Sequence, residues 1–575
     1  MPFIVIAIGV VIAIVVLGLL ILPSFIDEQQ IIALAQEQVR KSTGGELSVD
    51  GDTRLTLLPS LSIALNSTTI DLPGQPETSG RTLASVGSLE IGLSPVALLM
   101  GKTEVGEVVL TKTDLQRFNL DGTLATQLTL DELVVDDLNI ANNPTRLRAT
   151  LQVANLAGGK PISIALNGVV RVPQALDRIE LDELTTDISG LLSQDIKTAL
   201  SGVVELSPLQ ATLDLVANLP GGDIDGDLLY GREQSPQVDL SFHTARLDLD
   251  QLTPPGSSSA SNEAGGDATD MSASKNSGIK PPPIPLPVGP LRDLDLRLAV
   301  TADALISNGQ TISDAQLLLR AVDGISDLQY LRGVLHQGQL DTAMTIDVRQ
   351  ATAKVTLKGG LNGVNIDSFA ASLGAANTAV GRVDMNWDVV TKGTTTEDLR
   401  LELDGKMTLE GSNVELLPVS AQAKMCAAIA KINQQALTQT MPTTTKIAAL
   451  SAELTFGKQQ ARVSTLKLAT PGIVMSGSGA ASLRDLNFQL GINAAISEEL
   501  EALDEACRVE ERYMAIDWPV KCVGNLGGDA TQWCAIDRES IVKQLLANEA
   551  KSKLQKQADK LGEKAGNALK KLFGG

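Results

Sequence analysis

Histidine is nearly missing from this 575-residue chain, which has only His243 and His336. A metal held by three histidines is therefore excluded. Neither histidine has a cysteine or a second histidine near it in sequence, so imidazole catalysis is not expected. Aromatic residues are scarce as well, at 3 Trp, 3 Tyr and 8 Phe. Positive charge is outnumbered, with 47 basic against 68 acidic residues and a formal charge of −21. A nucleic-acid partner calls for the opposite, a basic face with stacking aromatics, and none is expected. No C-x-x-C pair occurs, which removes zinc ribbons and dithiol redox motifs. There is no G-x-S-x-G elbow and no H-E-x-x-H. Gly101-Lys102-Thr103 resembles the end of a phosphate-binding loop, but Val96 stands where its first glycine belongs. Asp223, Asp225 and Asp227 imitate a calcium loop, but Leu228 replaces its glycine and Gln234 its bidentate glutamate. An acidic hairpin turn is expected there. No catalytic residue can be named, and neither cofactor nor metal is expected, so the chain reads as non-enzymatic.

Apolar residues are plentiful, at 43%. From Pro2 to Leu22 they form an uncharged run of about 31 Å as a helix, the thickness of a bilayer's hydrocarbon core. The run lacks a basic start and has no small-residue cleavage site directly after it, so residues 1–25 read as an uncleaved transmembrane anchor. The first basic residue after it is Arg40, so charge does not fix its orientation. Ile31, Ile32, Ala35 and Val39 then recur at helical spacing, predicting a helix over 27–42 at the membrane surface.

From Leu47 onward the period becomes two. Leu61, Ile63 and Leu65 alternate with polar residues, as do Val238, Leu240 and Phe242. The same holds for Leu294, Leu296, Leu298 and Val300, for Leu399, Leu401 and Leu403, and for Leu486, Phe488, Leu490 and Ile492. Such alternation marks strands with one apolar face. Asp121-Gly122, Asp323-Gly324, Asn362-Gly363, Asp404-Gly405 and Glu410-Gly411 read as turns between them. The expected fold is mainly β, an antiparallel meander with few amphipathic helices near the C-terminal end. The expected organisation is a β-rich region at 26–252, a Pro/Gly/Ser-rich linker at 253–290, and a second β-rich region at 291–500 with a helical insertion near 418–439. A disulfide-bearing cap at 501–540, with a helix over 498–512, and a basic amphipathic helix at 541–575 follow.

Cys426, Cys507, Cys522 and Cys534 form an even set, which fits two structural disulfides in an oxidising compartment. Three connectivities are possible. Cys522–Cys534, which flank a glycine-rich turn, is favoured, leaving Cys426–Cys507. Seven lysines (551, 553, 556, 560, 564, 570 and 571) crowd the last segment beside three acids. Leu554, Ala558, Leu561, Ala565, Leu569 and Leu572 make one apolar stripe there. Either that helix docks on the protein or stands solvated, or Lys553, Lys556, Lys560, Lys564, Lys570 and Lys571 meet an anionic membrane surface.

The order of these features resembles the AsmA family of Gram-negative envelope proteins. It begins with the anchor, T-G-G-E-L-S-V-D-G at 43–51 and L-L-P-S-L at 57–61. L-S-P-V-A-L-L-M-G-K at 93–102 and V-G-E-V-V-L at 105–110 come next. After the linker follow G-L-N-G-V-N-I at 360–366, G-K-M-T-L-E-G at 405–411 and W-P-V-K-C at 518–522. The resemblance implies an inner-membrane protein with its bulk in the periplasm, tied to outer-membrane biogenesis. It also implies kinship with the bridge-type lipid-transfer group related to TamB, whose long curved β-sheets carry an apolar groove for phospholipid. The groove candidates are then Leu294, Leu296, Leu298, Val300, Leu399, Leu401, Leu403, Leu486, Phe488 and Leu490. Two readings of function stand side by side: phospholipid transport between inner and outer membrane along an open groove, or a periplasmic scaffold for outer-membrane protein assembly with a closed core and protein partners.

Overall fold

The computed structural model describes Gln36, Arg40 and residues 46–573, apart from 50–52, 57–61, 73–80, 94–104, 119–122, 139–141, 155–160, 176, 232–235, 253–282, 373–376, 378, 418–419, 515 and 526–532. The expected anchor at 1–25, most of the helix at 27–42 and most of the linker lie outside the described residues. Among the described residues no helix is long and apolar enough to cross a membrane.

The chain forms two compact units, Met1–Ser272 with Leu296–Asn308, and Ala273–Asp295 with Gly309–Gly575. The first holds β1 (Glu46–Val49), β2 (Thr53–Thr56), β3 (Ser62–Leu72), β4 (Thr82–Leu93), β5 (Val105–Phe118), β6 (Leu124–Asp136) and β7 (Pro144–Val153). It continues with β8 (Ile162–Arg171), β9 (Arg178–Ser189), β10 (Ile196–Leu206), β11 (Leu209–Leu219), β12 (Gly222–Tyr230), β13 (Val238–Asp248) and β14 (Leu296–Ser307). β1 and β2 share β3 as partner, and from β3 to β13 each strand pairs antiparallel with the next. One pairing departs from the expected meander. β13 and β14 run parallel, with Val238 opposite Leu296. The long connection between them lets the chain return to the same end of the sheet, which a tight hairpin cannot do.

The second unit holds β15 (Gln310–Val322), β16 (Ile325–Leu335), β17 (Gly338–Asp347), β18 (Ala353–Asn365), β19 (Ala379–Gly393), β20 (Asp404–Leu416) and β21 (Thr445–Ile447). β22 (Ala449–Gly457), β23 (Gln460–Thr470), β24 (Ile473–Ser482), β25 (Asn487–Ile496), β26 (Trp518–Asn525) and β27 (Cys534–Ile536) complete it. All pair antiparallel in chain order, with β20 taking both β21 and β22. Its helices are α1 (Val288–Arg292), α2 (Ile366–Ser372), α3 (Thr396–Leu401), α4 (Ala421–Ile432), α5 (Glu511–Met514) and α6 (Arg538–Phe573).

Asp323-Gly324 is the expected two-residue turn, both φ values positive as a type I′ hairpin requires. His336-Gln337 and Lys458-Gln459 do the same without glycine. Three other expected turns are not turns. Asn362-Gly363 lies inside β18, where the register slips between Leu361 and Val364, so its glycine serves a bulge. Asp404-Gly405 opens β20 and Glu410-Gly411 lies within it. Asp121-Gly122 lies outside the described residues.

The cap of the second unit is a true core. Ser420 caps α4 through the Ala423 N–H. Met425 and Ile429 of α4 are buried with Ile473, Ile496, Leu500, Val509, Ile516, Trp518 and Ile541. Both disulfides form as favoured, Cys426–Cys507 and Cys522–Cys534. The helix expected over 498–512 is instead two 3-10 turns, Glu498–Ala502 and Glu505–Cys507, followed by α5. Asp504 is the reason. Its backbone is extended, and its buried carboxylate accepts the N–H groups of Ala506, Thr438 and Gln439. These bonds hold its carboxyl pKa below the usual carboxylate range. Asp537 anchors α6 similarly, accepting from the Ser540 N–H, the Ser540 hydroxyl and the Lys521 ammonium.

The bridges close loops of 81 and 12 residues, about 4.5 and about 3 kcal/mol in the chain-entropy view. Reduction should therefore speed amide exchange in the cap, residues 421–442 and 498–541, while β3–β13, which lack cysteine, keep their protection. Lys521 and Ser540 pull the Asp537 carboxyl down to about 2. Its contribution is complete above the ordinary carboxylate range and fades as pH falls from about 4 toward 2. Protection of residues 541–546 should fall over that window, and Asp537→Asn should weaken it already at neutral pH.

Candidate functional site

Period-two patterning sorts each sheet into an apolar and a polar face, and register joins the apolar residues into rows. In the first unit one row runs Leu181, Gly202, Leu213, Leu228, Leu240 and Leu298. The next runs Gly168, Leu184, Leu200, Leu215, Gly226, Phe242 and Val300. In the second unit Leu317, Leu331, Thr342, Gly359, Trp387, Met407, Leu454, Val463, Gly479, Leu490 and Cys522 stand in register. That row extends about 48 Å at about 4.8 Å per strand, roughly three times the depth of one bilayer leaflet's hydrocarbon.

In the first strands a matching slip keeps the apolar residues on one face. In β3, β4 and β5 the register jumps past Ser67, Gly87 and Lys112, and in β6 past Asp131. Ser67 and Lys112 take positive φ. Without the bulge, Val108 and Leu110 would face opposite to Leu115; with it, all three are buried together.

The decisive quantity is burial. In β4–β7 the apolar face is a packed core in which Val108, Leu110, Leu130 and Leu133 are buried. From β8 to β14 many apolar side chains are only half-buried, although Ile196, Ala217, Ala302, Leu305 and Ile306 are buried, and Asp239 is buried on the other face. The long row of the second unit is likewise mostly half-buried from Leu317 to Leu490. Helices of this unit meet its sheet at β16, β18, β19, β25 and β26. Phe369 of α2 meets His336 edge-on at one end. At the other, Leu399 accepts the Thr391 hydroxyl and α3 packs against Gly393. Beside it, Pro285 bridges Thr395 and Arg292 donates to the Val348 carbonyl, so the last part of the expected linker is tied down.

The apolar face also carries polar atoms with nothing to bond. Thr68, Thr113, Ser326 and Thr470 hydroxyls and the Trp387 indole N–H are buried without a partner among the described residues. All five belong to inward positions by register. An unpaired buried donor costs about 1–3 kcal/mol, and an acceptor brought by a ligand would remove that cost.

The expected groove residues divide. Leu296, Leu298 and Val300 lie on the apolar face of β14, and Phe488 and Leu490 on that of β25. Leu294 lies in the segment between α1 and β14, off the sheet. Leu399 and Leu401 are on α3 and Leu403 follows it, because Thr395 and Asp398 form a capping box that starts a helix. Leu486 closes a turn in left-handed conformation, organised by the Ser482 hydroxyl, and is exposed. Asp223, Asp225 and Asp227 are not a turn but alternate on the polar face of β12. Among the described residues no cluster of His, Cys, Asp and Glu is set to hold a metal. Trp387, Met407 and Leu454 were missed by sequence, although M-N-W-D-V-V at 385–390 carries the period-two signal.

On the polar face, Arg332 faces Asp341, Lys358 faces Asp388 and Lys197 faces Asp187 directly across strands. Such exposed pairs are worth little each, but they keep the two faces distinct. Beyond the cap, α6 continues past Leu546 with residues 549–564 exposed. Lys553, Lys556, Lys560 and Lys564 lie in that stretch. Lys570 and Lys571 belong to the same helix, and their side chains lie outside the description.

A family model, that of the AsmA family, matches residues 3–184 and 122–468. These matches cover well over half of the chain, which therefore belongs to the AsmA family. No curated protein and no solved structure matches it.

Burial separates an open face from a closed core by substitution. Leu298→Asp and Leu454→Asp place a carboxylate where water already reaches, and should cost about 1–2 kcal/mol and leave the chain folded. Ile473→Asp, in the buried cap, should cost several kcal/mol and abolish cap protection. Circular dichroism and amide exchange of the three variants read the difference.

Proposed function

Because the chain belongs to the AsmA family, we propose that it is a non-enzymatic envelope protein that binds phospholipid on its apolar faces and conducts it between inner and outer membrane. Residues 1–25 would anchor it in the inner membrane, with the bulk of the chain in the periplasm. One observation carries this reading: long register rows of Leu, Val, Met and Trp are only half-buried among the described residues. A protein with no ligand for such a face would leave that apolar area in water. Each CH₂ of an acyl chain laid there gains about 0.8 kcal/mol. The rows repeat similar aliphatic side chains, so that gain varies little along them and a chain could slide without a deep trap. The unpaired indole and hydroxyl groups suit a ligand that carries ester or phosphate oxygens among its apolar chains.

The test uses the tryptophans. Trp387 is on the apolar row, Trp518 is buried in the cap, and Trp533 packs against Phe488. In a Trp533→Phe background, phospholipid with brominated acyl chains should quench about half of the emission, that of Trp387. Adding Trp387→Phe should leave the remaining emission unquenched. Absence of quenching, or equal quenching after Trp387→Phe, would overturn lipid binding on this face and favour a scaffold.

A further inference from the structure

α6 has two roles along its length. At its root, Ile541 is buried in the cap and Leu545 packs against it. Nine residues further, half a turn of phase around a helix of 3.6 residues per turn, the opposite side begins its own apolar stripe at Leu554. Leu554 and Leu561 are each 67% exposed, far more than the half-buried leucines of the sheets. Lys553, Lys560 and Lys564 recur at steps of 7 and 4 on one flank of that stripe, about 100° from it, while Asp559 and Glu563 fall on the far side. Residues 549–564 hold five lysines and three acids in a chain of net charge −21.

We infer that α6 is a membrane-docking helix whose occupant is the surface of an anionic phospholipid bilayer. Leucines two turns apart would enter the headgroup boundary while the flanking lysines meet lipid phosphates. Charge selects this occupant. A second copy of the chain offers mainly acidic sheet faces to the lysines, but it also brings the same lysine flank, and like charges repel. A neutral bilayer would take the leucines but give the lysines nothing. The root stays fixed in the cap, so the binding stretch is held clear of the sheet and its leucines need no rearrangement to reach lipid. This inference is independent of lipid carriage by the apolar rows, because it concerns a different surface and a different part of the lipid.

Amide exchange on the full chain tests it. With vesicles containing phosphatidylglycerol, residues 549–561 should exchange at least ~10-fold more slowly than with phosphatidylcholine vesicles, since each lysine near an anionic surface contributes appreciably. High salt should remove the difference, because screening shortens to a few ångströms. Lys553→Glu, Lys560→Glu and Lys564→Glu together should abolish it, with protection of residues 541–546 unchanged as evidence that the cap is intact. Leu554→Gln with Leu561→Gln should weaken it as well. Equal protection by both vesicle types, no protection by either, or protection without vesicles that rises with protein concentration would overturn the inference.

Discussion

The governing constraint in this molecule is the one-sided apolar patterning of its strands, whose apolar face is well buried in β4–β7 and the cap and only partly buried elsewhere among the described residues. A strand with alternating apolar residues must bury one face, and sandwiches do so by stacking two sheets about 10 Å apart. Here many apolar side chains of β8–β14 and β15–β25 are only half-buried, although others, such as Ile196, Leu305, Leu340 and Val364, are buried. Keeping every apolar residue on one face then becomes the governing demand. The slips at Ser67, Gly87, Lys112 and Asp131 meet it, since an uncorrected slip would turn Leu115 and Leu128 outward. Glycines at inward positions such as Gly202, Gly226 and Gly405 let backbone and side chains of the next strand approach where a Cβ would collide.

Alternation was legible because it is local. Val238, Leu240 and Phe242, or Phe488 and Leu490, announce strand and face with no knowledge of the partner. The same signal misled at Leu399, Leu401 and Leu403, where two leucines fall on one helical turn by coincidence. The deciding residues, Thr395 and Asp398, act through a cap that precedes them. Leu486 failed for a related reason: the Ser482 hydroxyl fixes a turn four residues upstream, and a turn overrides a single alternating position. Asn362-Gly363 misled because bulges and tight turns ask for the same positive φ. The broken helix at 498–512 depended on Asp504 reaching residues 438 and 439, a long-range contact that no local pattern carries.

Of the candidate site, half was legible. Leu296, Leu298 and Val300 could be placed on a strand face, but the rows they join are a property of register, which sequence does not display. The unpaired hydroxyls and the Trp387 N–H were invisible for the same reason, since Thr and Trp in a strand look like ordinary core residues. Burial itself could not be read. A half-buried leucine row and a closed core have the same composition, and only the burial of each side chain in the folded chain tells them apart.

The charge distribution follows from the same one-sided sheet. An open sheet has edges that invite pairing with other chains, and natural proteins blunt them with short strands, charges or covers. In the second unit the last strand, β27, is three residues long, tied to β26 by Cys522–Cys534 and followed at once by α6. The polar face is laced with acids, some matched by Arg or Lys across strands, and the excess accounts for the net −21. An acidic outer face is repelled by anionic bilayers along its whole length, so contact with such a surface must be made by a separate element of opposite charge. By composition and by exposure, α6 fits that role. The root of α6 packs on β26 and the cap core, while its stretch 549–564 is exposed.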